Sequence, residues 1–518
     1  MPGEWRARKL LVSLLLLFVN SVAGAADSRQ ALQKAASLVQ QGRLEEADRE
    51  VQPALSDPDT RAVACSVLGT IRFQQKRIEE STRLLEEAIK LEPRLVGAHL
   101  TLAEIYIVQG KPERAQELFQ RVLRLDPANP AARLALARTA AESGNYQRSL
   151  QIAQPALQTF KESPDGLIVL ATDYLKTGDK PAAAALAQDW TRLADVPPEW
   201  SVRFALLLAR GGVVPEAINL LERTKGANPP SYEVDFNLAG AYLLKGDAER
   251  ALENYDLALA VSPGSLTALQ QAGGVAERQG NLERALSYRV RAKKIEPENP
   301  EILVGFGRVC LKLDLLDDAE PALTRAAELR PENPEYRYTL AAAKVGKRQF
   351  EAAAEILQDM VQKKPQDPQV EYALGAVLYL WGHLADAGTH LQESVRLQPG
   401  QLAPYYYLAL VARDQGNEPE AIRTLEKLLQ RYPDHASSWE VLGALLTSAH
   451  QYSDAEDSFK KAVRLNPKSV KANYQLALLL SRMGKKDEAD KQMAVAQSLR
   501  TEDEGNSRLQ LKLLDPDQ

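Results

Sequence analysis

A 34-residue pattern recurs fourteen times between Ser28 and Asp503, with no insertion or deletion to break its phase. A unit that short cannot bury its own hydrophobic face, so successive copies must stack and share one continuous core. The units open at Ser28, Ala62, Val96, Pro130, Pro164, Pro198, Tyr232, Leu266, Pro300, Pro334, Pro368, Leu402, Ala436 and Val470, and each is numbered here from position 1. Position 8 is always Ala or Gly, and position 20 is always Ala or Ser. Small residues at that spacing predict two helices in close approach, because a larger side chain would overpack the contact.

Start and stop signals agree with a helical hairpin. Position 32 is Pro in ten units, which ends the second helix. Asn129-Pro130, Ser163-Pro164, Asn299-Pro300, Asn333-Pro334 and Asp367-Pro368 each read as a capping residue followed by Pro at the first helical position. Gly at position 15, as in Gly110, Gly144 and Gly246, marks the turn between the helices.

The pattern resembles the tetratricopeptide repeat, and unit 13 carries the signature most fully in Trp439, Leu442, Gly443, Ala455, Phe459, Ala462 and Pro467. Leu446 stands where that family usually has an aromatic residue. The resemblance implies an all-α, right-handed superhelical solenoid of about fourteen helix-turn-helix repeats. It implies a fold, and chemistry must be argued separately. Chaperone-binding members use Asn at position 9, absent from every unit here, and of an asparagine ladder at position 6 only Asn237 is present.

Residues 1–25 follow other rules. Arg6, Arg8 and Lys9 precede the apolar run Leu10 to Val19, and Ala23-Gly24-Ala25 supplies the small residues of a cleavage site. This reads as a cleavable signal peptide, with an uncleaved signal anchor as the alternative, and it predicts an exported protein, periplasmic or secreted. Residues 26–503 form the solenoid. Residues 504–518 include Ser507 to Leu514, whose alternation of Leu with polar residues fits a cap on the last repeat, a strand or a partner-binding tail.

Charge and chemistry narrow the function classes. The net charge of −5 becomes −7 once residues 1–25 are removed, which disfavours nucleic acid and anionic membrane as partners. No later apolar run is long enough for a transmembrane segment. No nucleotide-binding loop or catalytic set can be assembled, so no enzymatic activity and no cofactor are expected. His383 and His390, seven apart in one hairpin, lack the spacing of a metal site and read as surface histidines. Cys65 and Cys310 read as small packing residues.

Function is then expected from a surface. The resemblance places positions 2, 5, 9, 12 and 13 of the first helices on a concave groove. Tyr338, Tyr372, Tyr406 and Tyr474 occupy position 5 of units 10, 11, 12 and 14, with Glu440 interrupting in unit 13. Tyr379 lies at position 12 and Tyr407 at position 6. Such rings offer flat apolar area with a hydroxyl to an extended partner, or they pack against the preceding repeat. Upstream, Arg278, Arg308 and Lys312 beside Glu277 suit a ligand with an acidic end and an apolar body, or are solvated groove charges.

The expected function is a non-catalytic protein-interaction scaffold of the cell envelope or exported space, with a protein or peptide in the groove. The alternatives are a glycan- or small-ligand-binding protein, and a regulatory subunit of a glycosyltransferase or polysaccharide export system. Irregularities in units 4 to 6, including Lys161, Trp190, Asp195, Pro197-Pro198 and Gly211-Gly212, suggest either a hinge or repeat degeneracy.

Overall fold

The computed structural model describes residues 26–503 apart from Asn228. The signal peptide and its cleavage point, and the cap or tail of residues 504–518, lie outside the described residues. Each of the fourteen units is a pair of antiparallel helices, beginning with Ala26–Gln40 and Leu44–Leu55 and ending with Val470–Arg482 and Lys486–Asp503. No strand occurs among the described residues. The chain divides near the junction of repeats 7 and 8 into two compact units, Met1–Ser262 and Pro263–Gln518, and in each the described helices follow one another as an α-solenoid.

The predicted caps form. Asn129 accepts from Ala132 N at 3.0 Å, Ser163 from Gly166 N at 3.1 Å and Asn299 from Glu301 N at 3.1 Å. Asn333 and Asp367 likewise accept from Glu335 N at 3.0 Å and Gln369 N at 3.2 Å. Each bond satisfies a backbone donor that the first helical turn leaves without a partner.

Position 15 has a positive φ in all fourteen repeats, and Gly fills it in ten. Lys76, Asp314, Arg348 and His450 adopt the same left-handed conformation in the other four, at φ between 59° and 64°. The reversal between helices is therefore a property of the repeat geometry, which Gly relieves wherever it occurs.

Positions 8 and 20 are buried throughout. Position 8 faces position 24 of the second helix in the same repeat. A Cβ at Gly307 would meet Leu323 Cγ at 2.5 Å, one at Gly375 would meet Leu391 Cγ at 2.7 Å, and one at Gly443 would meet the Phe459 ring at 2.9 Å. At these three repeats the opposing side chain leaves no room for a Cβ at position 8.

The irregular stretch retains a continuous apolar interior. Ala137 to Ala251 contribute to one continuous core across repeats 4 to 7. Trp190 stacks on Phe204 with ring centroids 4.2 Å apart and donates from Nε1 to Ser201 Oγ at 3.2 Å. A large ring replaces Ala at position 27 and fills the space that an irregular backbone would otherwise leave open. The local break lies earlier, where Pro155 turns Gln154–Ala156 into a 3₁₀ segment within the second helix of repeat 4. Units 4 to 6 thus keep a packed interior in spite of their irregular sequence.

Both cysteines are free and buried, and burial pushes the Cys310 thiol up to about 12. Asp173 is also fully buried, and neither of its carboxylate oxygens has a hydrogen-bond partner. Burial pushes its carboxyl up to about 6. The folded protein therefore holds this proton more tightly than the unfolded chain, so the Asp173 contribution to stability falls as pH rises from about 4 to about 6. We expect Asp173→Asn to flatten that part of the profile and to stabilise the protein at pH 7 by on the order of 2 kcal/mol relative to the parent. Denaturation of both proteins at pH 4.5 and pH 7 checks this, and an unchanged difference between them would contradict the assignment.

Candidate functional site

Positions 9, 12 and 13 of successive first helices meet across the repeat junctions of the second unit. Glu277, at position 12 of Leu266–Arg278, accepts from Arg308 Nε at 2.9 Å and Nη2 at 3.4 Å. Lys312 Nζ lies 3.2 Å from the same carboxylate. Both cations come from Pro300–Lys312, at positions 9 and 13. Burial pushes the Glu277 carboxyl up, but the Arg308 hydrogen bond and the charges of Arg308 and Lys312 outweigh it and hold the group below the usual carboxylate range. Arg278 is exposed and has no acidic partner among the described residues. Arg308 Nη1 also reaches Glu335 Oε1 at 3.4 Å, which ties this cluster to repeat 10.

One member of the cluster was not anticipated. Arg289 lies at position 24, within Leu282–Ile295, and its Nη2 is 3.7 Å from Glu277 Oε2. The thirteen other repeats have an apolar residue at position 24. That departure from the repeat pattern was the available signal, and it lies on the second helix, away from the inward positions of the first.

The tyrosines of repeats 10 to 12 form a second patch on the same succession of first helices. Tyr407 is its hub, with ring centroids 5.9 Å from Tyr372, 5.7 Å from Tyr379 and 5.8 Å from Tyr406, all edge to face. Tyr406 also packs its ring 5.3 Å from His435. Tyr379 donates its hydroxyl to Asp414 Oδ2 at 2.8 Å and accepts from Arg413 Nη2 at 3.3 Å. Burial raises the hydroxyl pKa of Tyr379, which the Asp414 bond reinforces, and burial pushes that of Tyr406 up to about 12. Burial also dominates the upward shift at Tyr338, whose hydroxyl contacts Gln369 of repeat 11.

The ladder expected at position 5 is uneven. Tyr372 is 1% exposed, because Tyr407 of the next repeat closes over it, so it supports the patch and offers no face to a ligand. Tyr474 is 44% exposed and stacks on no other ring among the described residues. Glu440 between them is taken up by Lys471 Nζ at 2.8 Å and Ser469 Oγ at 3.1 Å. The structure therefore brings together Tyr338, Tyr372, Tyr379, Tyr406 and Tyr407, and separately Arg308 and Lys312 around Glu277, leaving Arg278 exposed and unpaired with an acid among the described residues and Tyr474 outside both groups.

His390 departs from a surface role. Its Nδ1 is 2.7 Å from Glu371 Oε2, and that carboxylate is buried. His383 packs on Trp381 at 4.3 Å between rings. No group of three His, Cys, Asp or Glu side chains able to hold a metal occurs among the described residues, and no described helix is long and apolar enough to cross a membrane.

Four family models, each described as tetratricopeptide repeat, match the chain at residues 72–139, 109–154, 202–265, 315–377, 401–468 and 458–491, together more than half of its length. No curated protein matches it. Among solved structures, it is similar to a tetratricopeptide repeat protein from Parabacteroides merdae at 18% identity over 48% of this chain and 98% of that one, with a TM-score of 0.40. Yeast Tom70 is similar at 16% identity over 86% and 96% of the two chains, with a TM-score of 0.36. YrrB, described as having an unusual peptide-binding site, is similar at 23% identity over 38% and 97%, with a TM-score of 0.33.

The aromatic patch depends on its hub. Tyr407→Ala removes three ring contacts at once and is expected to cost about 2–4 kcal/mol, whereas Tyr474→Ala should cost less than about 0.5 kcal/mol. Chemical denaturation of the two variants separates these outcomes, and equal effects would contradict the hub.

Proposed function

Because the chain belongs to the tetratricopeptide repeat family, whose members serve as protein-interaction scaffolds, we propose that it is a non-catalytic scaffold of the cell envelope or exported space that holds an extended protein segment along the first helices of repeats 8 to 12. The observation that carries this reading is the succession of two unlike patches on consecutive first helices, cationic around Glu277 and aromatic around Tyr407. Tyr379 and Tyr406 are only half-buried in the absence of a partner, while their rings are held by neighbours. Aromatic groups fixed in this way lose little entropy on binding, which is the usual basis of interface hot spots.

The segment runs from an acidic portion over repeats 8 and 9 to an apolar portion over repeats 10 to 12. Export rests on the basic, apolar and small-residue succession of residues 1–25. Replacing Tyr379 and Tyr406 together by Ala is expected to lower partner capture from an envelope extract at least about tenfold while leaving the helical circular dichroism intact. Undiminished capture by the folded double variant would sink the aromatic part of the groove assignment. The N-terminus of the protein recovered from its own cells should be Ala26, and a chain retaining Met1 would overturn cleavage.

A further inference from the structure

Arg289 is 7% exposed, and its Nε is buried with no hydrogen-bond acceptor. A guanidinium in such surroundings is costly unless charge and hydrogen bonds compensate it. The one carboxylate beside it, on Glu277, is already shared with Arg308 and Lys312, so three cations converge on a single anion. Glu335, which Arg308 also reaches, is itself largely solvent-exposed and contacts neither Arg289 nor Lys312 among the described residues.

The backbone around this guanidinium has been cleared of side chains. A Cβ at Gly273 would lie 3.1 Å from Arg289 Nε, and one at Gly305 would lie 2.9 Å from its Nη1. Those two glycines admit the Arg289 side chain itself. Gly274 is different, because a Cβ there would find only Arg278 Nη1 at 3.6 Å and Arg289 Nη2 at 3.9 Å, both ordinary contact distances. Gly274 stands at position 9, on the same face as Arg308 one repeat later. Its missing side chain leaves a gap flanked by two guanidinium groups, one exposed and one buried.

We infer that the gap beside Gly274 receives a carboxylate of the bound protein segment, gripped between Arg278 and Arg289, with Glu277 serving to position the buried guanidinium. This inference rests on the groove reading above and deepens it by assigning the chemistry of one subsite. A carboxylate fits because it accepts from both guanidinium groups and supplies the negative charge that the cluster lacks. Its source is an acidic side chain or the C-terminal carboxylate of the segment. Position 24 lies on the second helix, so the grip combines the exposed groove with a cation anchored in the repeat core.

Fluorescence anisotropy on the full mature chain tests the inference with three labelled hexapeptides: hexaglutamate amide, hexaglutamine amide and hexaglutamine with a free C-terminus. At least one carboxylate-bearing peptide should bind about tenfold or more tightly than hexaglutamine amide, and which one does so identifies the source of the carboxylate. Arg289→Leu restores the apolar residue found at position 24 in other repeats, so its fold is protected, and it should abolish that preference. Gly274→Glu introduces a tethered carboxylate at the gap without left-handed backbone strain and should also abolish it. Equal binding of all three peptides, no binding of any, or a preference surviving in both folded variants would overturn the proposal. If Arg289→Leu leaves partner capture intact while the Tyr379 and Tyr406 double variant loses it, the carboxylate subsite fails and the groove stands. The reverse result removes the aromatic reading and keeps the subsite.

Discussion

The distance between the two helices of each repeat is set by three side chains, and everything else in the structure is arranged around that contact. Positions 8 and 20 must be small for the helices to approach, and position 24 then fills the hollow that position 8 leaves. Opposite Leu85, Leu323, Leu391 and Phe459, which come so close that a Cβ would collide, position 8 has lost even its methyl group and is Gly. Stability in such a stack is built from intrinsic repeat terms and nearest-neighbour terms, so a local exception is tolerated if the flanking repeats remain regular. Trp190 is one such exception and was absorbed by a partner of matching size, Phe204. Arg289 is another, and it was absorbed by removing neighbouring side chains.

The periodic features were legible in the residues because each depends on local geometry. Fourteen helix pairs, the five Asn, Ser or Asp caps and the left-handed turn at position 15 all follow from signals within a few residues of where they act. The turn went further than its signal, since Lys76, Asp314, Arg348 and His450 adopt it without Gly. What could not be read depended on the next repeat. Whether Tyr372 faces a ligand or the core is decided by Tyr407, thirty-five residues away in the chain, whose ring packs against it. His390 is likewise drawn inward by Glu371 of the adjacent helix. Repeat position specifies a direction, but burial is set jointly with the neighbour.

The aromatic patch illustrates how a solenoid builds a rigid surface from flexible parts. Each edge-to-face ring contact is worth about 0.5–1.5 kcal/mol beyond the area it buries, and Tyr407 makes three. The Asp414 and Arg413 contacts then orient the Tyr379 hydroxyl, so both ends of that side chain are held. A ring fixed in advance pays less of the ordering cost on binding than a free one, and preorganisation of this kind governs affinity more than contact area does.

The charged cluster follows the opposite logic. An apolar residue at position 24 would satisfy the repeat at no desolvation cost, as it does in thirteen other copies, so Arg289 is hard to explain by stability. Removing a guanidinium from water costs several kcal/mol, and a single carboxylate shared three ways at 2.9, 3.2 and 3.7 Å offsets only part of it. Repeat proteins can carry such a deficit because the neighbouring helix pairs hold the backbone regardless. The deficit is also a form of preorganisation: the positive charge and the open backbone at Gly274, which borders Arg289 Nη2, are in place before any ligand arrives. A binding carboxylate therefore meets groups whose desolvation was already met on folding, and the repeat that alone carries a cation at position 24 is the one prepared to distinguish an acidic partner from a neutral one.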